Sequence, residues 1–290
     1  MHTFRYLSVC PLVVFLLSSQ VLFAQVKDTL VVKDSVPTLP RNHFIIGVTY
    51  NSAMNYYGRV DSLKSSGIYP YIDISLKNGL YLTSTFVFTN NSTGTQYAAT
   101  LLEAGYNFIS KNDHWSGNLS ASRYFYQAGN DLVQSAVKEV VSASLTELNK
   151  IINITLGANI KFSDKADIGV QAGLDHIIRI PDIFGKDVLV LDPSANCYAG
   201  TQNFTQTYLQ DQKLLFFPVD EQLVTRNSQK FSFLSYEFSM PVVYAYRKLN
   251  LILTPAYIIP ENIVTVSGQS GTSEKGANLF YFTAALKFTL

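Results

Sequence analysis

The chain has 290 residues, 15% of them charged and 13% aromatic, with 19 Phe and 18 Tyr against a single Trp. A formal net charge of +1 gives no argument for nucleic acid or for a strongly acidic partner. Sparse charge with abundant Phe and Tyr suits one large β domain whose sheet meets both lipid and water.

Residues 1–24 read as a secretory signal peptide. Arg5 precedes an apolar stretch from Leu7 to Leu17, and Ser18 to Ala24 lead to cleavage after Ala24. The stretch is too short for a transmembrane helix, and no later segment approaches the roughly 18 apolar residues that a helical span needs. Arg5 is the leader's one basic residue and it has no acid, so its removal leaves basic and acidic side chains equal in number. Cys10 leaves with it; the apolar run continues beyond this cysteine, against a lipidated one. Cys197 is then alone, which excludes a disulfide or a cysteine metal site within one mature chain. Residues 25–42 are polar, with Pro37 and Pro40, and read as an N-terminal tether on the periplasmic side.

From His43 onward, to residue 290, the chain is a series of alternating runs. Phe44, Ile46, Val48 and Tyr50 form the first apolar row. Ile68 to Leu76 and Leu80 to Phe88 follow, joined by the tight turn Lys77-Asn78-Gly79. Leu102 to Phe108, Trp115 to Phe125, Ile152 to Phe162 and Ile168 to Leu174 continue the pattern. Leu234, Tyr236, Phe238, Met240, Val242 and Tyr244 then meet Leu251, Leu253, Tyr257 and Ile259 across a turn near Arg247–Asn250.

Leu132–Leu148 fits either a strand or a helix, and Val188–Phe204 either a strand or part of a loop. A single-chain bacterial barrel has an even number of strands, so both segments are strands or neither is. Twelve strands are preferred and ten are the alternative, because β-branched residues crowd the first segment and ten would leave a long structureless loop. Twelve place short turns near 77–79, 109–114, 147–150, 179–187 and 247–250 on one side. Long loops at 52–66, 207–229 and 261–277 fall on the other, an asymmetry that a soluble sandwich does not need.

The last strand alternates most clearly, with Phe280, Phe282, Ala284, Leu286, Phe288 and Leu290 on one side. Phe280 to Leu290 resembles the closing strand of Gram-negative-type (Bacteroidota-like) outer-membrane β-barrels, with Leu290 where a terminal aromatic is commoner. The resemblance implies an all-β transmembrane antiparallel barrel in the outer membrane. It also implies insertion by the barrel-insertion machinery, which would read Phe280, Phe282, Phe288 and Leu290, and lipid as the surrounding partner.

With the apolar rows facing lipid, the opposite rows face the lumen: Tyr69, Tyr71, Asp73, Lys77, Glu103, Asn107, Asn153, Asn159, Lys161, Gln171, Asp175, Arg179, Asp192, Asn196, Glu237 and Lys287. These charges either pair across a filled interior or line a narrow aqueous path. In the outer loops, Tyr56, Tyr57 and Arg59 are candidates for binding sugar or a partner, or pack at the membrane rim. Phe216 and Phe217, beside Leu214, Leu215 and Pro218, could dock a partner or fold inward as a plug. Pro241 and Pro255, at similar distances from the turn near 248, are expected opposite one another, each removing a ladder bond. Such a pair could mark a lateral opening or a benign kink.

No Gly-x-Ser-x-Gly, His-Glu-x-x-His or phosphate-binding glycine loop occurs, and His43, His114 and His176 are scattered. No metal site, cofactor or catalytic residue is expected. The sequence therefore supports a narrow channel or transporter for small polar solutes, with a structural or interaction barrel as the alternative and an outer-membrane enzyme third.

Overall fold

The computed structural model describes residues 42–60, 63–127, 137–203, 229–262 and 277–290. The expected leader and almost all of the tether, and Phe216 and Phe217, lie outside the described residues. Strands form wherever the period-two rows run. β1 (His43–Asn51), β4 (Ser66–Ser75), β5 (Leu80–Asn91), β6 (Gly94–Ile109), β7 (Trp115–Tyr126), β8 (Glu139–Glu147) and β9 (Asn153–Phe162) are successive antiparallel neighbours. A small two-stranded ribbon, β2 (Asn55–Tyr56) with β3 (Arg59–Val60), interrupts this order between β1 and β4.

The next three wall strands are each broken once. β10 (Ala166–Asp175) continues into β11 (Ile178–Pro181), β12 (Asp187–Leu191) into β13 (Ser194–Gly200), and β14 (Ser232–Ser239) into β15 (Val242–Tyr246). The register is kept across the breaks: Asp175 faces Ser194 and Ile178 faces Leu191, while Ser194 faces Ser239 and Leu191 faces Val242. β16 (Leu249–Pro260) and β17 (Leu279–Thr289) complete the wall, and β17 pairs with both β16 and β1. The result is a closed antiparallel barrel of twelve strands, both uncertain segments being strands. Closure leaves no free sheet edge between first and last strands, so the backbone groups facing lipid are paired.

Side-chain parity sorts the two faces. Ile46, Leu82, Leu119, Leu156, Ile168, Phe238, Leu251 and Leu286 are exposed on the outside. Thr49, Thr85, Asn153, Asn159, Gln171, Asn250 and Thr283 are buried on the inside. No helix among the described residues is long and apolar enough to cross a membrane; the strands do it. Phe280, Phe282 and Phe288 of β17, and Leu290 just after it, are all exposed on the outside.

The parity slips at two bulges. Opposite the shift at Tyr198/Ala199, Leu234 is buried and Phe233 takes the outward place at 55% exposure, so Leu234 does not belong to the outward row that its spacing suggested. A second shift, at Val87/Phe88, buries both Ala98 and Ala99. The prolines are staggered, not opposed. Between the pairs Ser239–Ala256 and Val242–Leu253, Pro255 falls opposite Met240 and Pro241 opposite Thr254. The Met240 amide donates to the Pro255 carbonyl at 3.1 Å and the Asp192 amide to the Pro241 carbonyl at 3.0 Å, so the wall stays bonded through its kink.

The lipid-facing assignment predicts that Leu156→Arg, midway along β9 on the outer face, destabilises the folded barrel in vesicles by about 2–4 kcal/mol. Denaturant titration in lipid measures it; an unchanged midpoint would place Leu156 away from hydrocarbon.

Candidate functional site

The inner face is built from short hydrogen-bonded groups on neighbouring strands. Asp73 accepts from the Ser75 and Thr83 hydroxyls, both at 2.7 Å. The Tyr81 hydroxyl donates to the Glu103 carboxylate at 2.8 Å and accepts from Asn118 Nδ2 at 3.1 Å; Asn118 also donates to Asn107 at 2.7 Å. On the other flank, Asn153 donates to Asp175 at 2.7 Å and Gln171 to Asn196 at 2.7 Å. The Tyr281 hydroxyl donates to Glu237 at 2.9 Å. Asp73, Glu103 and Asp175 thus hold neutral donors from their own or an adjacent strand, and Glu237 one from β17, two places along the wall, the arrangement that lowers the cost of keeping an acid out of bulk water.

Tyrosines lie flat on this face because glycines make room beneath them. Tyr71 faces Gly47 and Tyr81 faces Gly105 in the register. A Cβ at Gly47 would sit 2.4 Å from the Tyr71 ring, and one at Gly105 2.5 Å from the Tyr81 ring. Any side chain there would force the ring toward the barrel axis. These cross-strand pairs let the Tyr81 hydroxyl reach Glu103 while its ring covers backbone.

The first outer loop turns inward. Tyr56, Tyr57 and Arg59 are 2%, 4% and 1% exposed, so they neither present a binding surface outside nor pack at the membrane rim. The ribbon they form hangs between β1 and β4, the first two wall strands, and reaches the opposite wall. Lys161 of β9, seventh around the ring, donates to the Tyr56 hydroxyl at 2.5 Å. Its Nζ lies 4.5 Å from the Tyr56 ring centroid and 5.4 Å from that of Tyr57. The Tyr57 ring is 5.2 Å from Tyr198 of β13 and 4.5 Å from Tyr56. Met54 packs on Tyr69, Val87, Ala98 and Ala99 of β4 to β6, and Ala53 on Ala256, Ile258 and Tyr281 of β16 and β17. One short segment therefore touches the wall on every side. Two apolar side chains and two aromatic rings bury surface that an outward loop would leave in water. Burial pushes the Tyr56 hydroxyl well above the ordinary phenol range, reinforced by Tyr57 and Asp167 and opposed by Arg59. It stays neutral and can accept from the Lys161 ammonium.

The other sequence candidates separate by position. Tyr69, Tyr71, Lys161, Glu237 and Lys287 are buried on the inner face, and Asp73, Glu103 and Asp175 are half-buried there. Arg179 is exposed on β11 and Lys77 in its turn, so neither joins the buried interior. Asp167 escaped the sequence reading although it faces Lys161 across β9 and β10 and is 1% exposed. It accepts from the Thr201 hydroxyl at 2.6 Å and from the Asn203 amide at 2.5 Å. Its partner in the lumen row, Lys161, was the available signal. Among the described residues no group of three or more His, Cys, Asp or Glu is placed to hold a metal ion.

No protein-family model matches the chain, and no curated protein matches it. Among solved structures it is similar to the NanC porin, at 10% identity and TM-score 0.48, over 85% of this chain and 100% of that one. It is also similar to LpxR from Salmonella typhimurium, at 10% identity and TM-score 0.46, over 84% and 99%. An outer membrane channel from Pseudomonas putida F1 matches at 12% identity and TM-score 0.43, over 89% and 100%. These structural neighbours are outer-membrane barrels, and at such identities the likeness is one of fold alone.

If the glycine-seated ring positions the network, Gly105→Val expels Tyr81 and destabilises the barrel more than Tyr81→Phe does. The latter removes the hydroxyl alone, with its bonds to Glu103 and Asn118, at a cost of about 1–3 kcal/mol. Equilibrium unfolding of both variants decides it; equal effects would mean that ring position is irrelevant.

Proposed function

We propose that this chain is an outer-membrane channel that passes small polar solutes along a narrow path. The observation that carries the reading is the polar inner face. Below the inward loop, toward the turns at 76–79, 110–114 and 148–152, Asp73, Thr83, Glu103, Asn107, Asn118, Asn153 and Asp175 lie on the inside. Several of these are half-buried and not sealed under packed apolar side chains. A barrel kept only for its wall would fill that space with apolar residues, as the clusters around Tyr69 and Val243 do locally. The exposed apolar exterior and the outward Phe280, Phe282, Phe288 and Leu290 support an outer-membrane location reached through a leader and the insertion machinery.

A structural or interaction barrel is the second reading, favoured by the segment Ala53–Arg59 touching the wall all round. On that reading the interior is a brace and the outer loops do the work.

Purified protein in planar bilayers with potassium chloride should give discrete conductance steps, smaller than those of wide general porins. Steps absent both from the wild type and from a barrel lacking the inward loop would sink the channel reading in favour of the brace.

A further inference from the structure

We infer that the short-turn end of the barrel carries a basic collar that gathers anionic phospholipid headgroups; this rests on the outer-membrane reading above and not on conduction. Five turns close the wall at this end, between β4 and β5, β6 and β7, β8 and β9, β11 and β12, and β15 and β16. Each holds a basic side chain: Lys77, Lys111, Lys150, Lys186, and Arg247 with Lys248. All six are exposed. Against them these turns hold two acids, Asp113 and Asp182, although the whole chain has 22 basic and 21 acidic residues. The excess of positive charge therefore belongs to this end and not to the protein at large.

Among the described residues none of the six is in an ion pair. At the loop end, by contrast, Arg123 and Lys138 each lie 3.2 Å from a carboxylate, that of Glu139 and of Asp164. The collar residues also sit beside exposed apolar ones. Trp115, 40% exposed, follows the Lys111 turn; Ile151, 78% exposed, is next to Lys150; and Phe184, 82% exposed, shares a turn with Lys186. The Arg247 guanidinium lies 5.1 Å from the Tyr246 ring centroid. In water such apolar groups would be a liability. At the foot of the lipid-facing wall they meet acyl chains, and the cations beside them lie at headgroup level. The five turns are spread round the wall, so the charge forms a ring. A ring fits a leaflet, which meets the barrel on every side; an acidic protein would need the charge gathered on one sector. Near an anionic leaflet each basic side chain favours association about fivefold. The lipid shell round this end is then richer in anionic headgroups than the leaflet beyond it.

Trp115, the chain's single tryptophan, lies at this end on the outside and reports the lipid around it. The test folds the full chain into vesicles of equimolar phosphatidylcholine and phosphatidylglycerol, with brominated chains on one lipid or the other. Quenching of Trp115 fluorescence then gives the relative affinity of the two lipids, and a heat-modifiable band on a gel checks folding. Phosphatidylglycerol should be favoured several-fold, with the ratio falling toward one in high salt. The same loss is expected in a triple variant, Lys77→Gln, Lys111→Gln and Lys150→Gln, whose turns flank Trp115. A loop-end triple variant, Lys64→Gln, Lys165→Gln and Lys230→Gln, should keep the preference. Equal quenching by the two lipids in a folded barrel would overturn the collar and leave the outer-membrane barrel standing. A preference that survives in the turn variant, or that the loop-end variant abolishes, would also overturn it. If the turn variant does not fold, the salt series on the wild type decides, since a preference unmoved by salt is not electrostatic. A wild type that gives no heat-modifiable band in any vesicle would overturn the membrane reading and the collar with it.

Discussion

Everything in this barrel follows from the requirement that backbone N–H and C=O groups in hydrocarbon find partners within the protein. A helix satisfies it alone, but this chain has no helix-length apolar run after residue 24. Strands satisfy it only if the sheet closes, which it does through β17, bonded on one side to β16 and on the other to β1. Once closed, the wall imposes strict alternation, because a one-residue slip would turn every lipid-facing side chain inward. The exposed rows of Ile, Leu and Phe and the buried rows of Thr, Asn, Gln and acids are two readings of that one constraint.

The same constraint explains where irregularity is tolerated. Three wall strands break at their inner ends, close to Pro193, Pro241 and Pro255, yet the register on each side of the breaks is unchanged. Each proline removes one donor, and the staggered carbonyls accept from neighbouring amides: Pro193 from His176, Pro241 from Asp192 and Pro255 from Met240. A kink therefore bends the wall without leaving a gap in it. That argues against a lateral opening at this seam.

How much of this was legible in the sequence depends on the range of the interaction. Strand count, turn positions and the two faces were readable because period two is local, and closure adds only the demand for an even number. The outward place of Leu234 was not, because a bulge adds a residue in response to the partner strand, and nothing near Leu234 announces it. The fate of Tyr56, Tyr57 and Arg59 was less legible still. Between an outer surface, the membrane rim and the lumen, local composition does not discriminate, since all three favour tyrosine and arginine. The choice is made by Lys161, 105 residues away in sequence and across the bore.

That long-range contact also changes what the inner charges mean. Read along the strands, acids and bases on the lumen rows look balanced, which suggests mutual pairing. In the folded barrel, Lys77 and Arg179 are exposed in a turn and in a short periplasmic-end strand, and Lys161 is taken up by the ribbon and faces Asp167. Asp73, Glu103, Asp175 and Glu237 instead hold neutral hydroxyl or amide donors. These neutral hydrogen bonds lower the cost of keeping the acids out of bulk water. A tyrosine or asparagine donor stays in the plane of the wall and leaves the axis clear, whereas a lysine reaching over to an acid would fill it. Neutral donors of this kind keep the lower interior polar, while nearer the loop end the ribbon crosses the bore to reach Lys161.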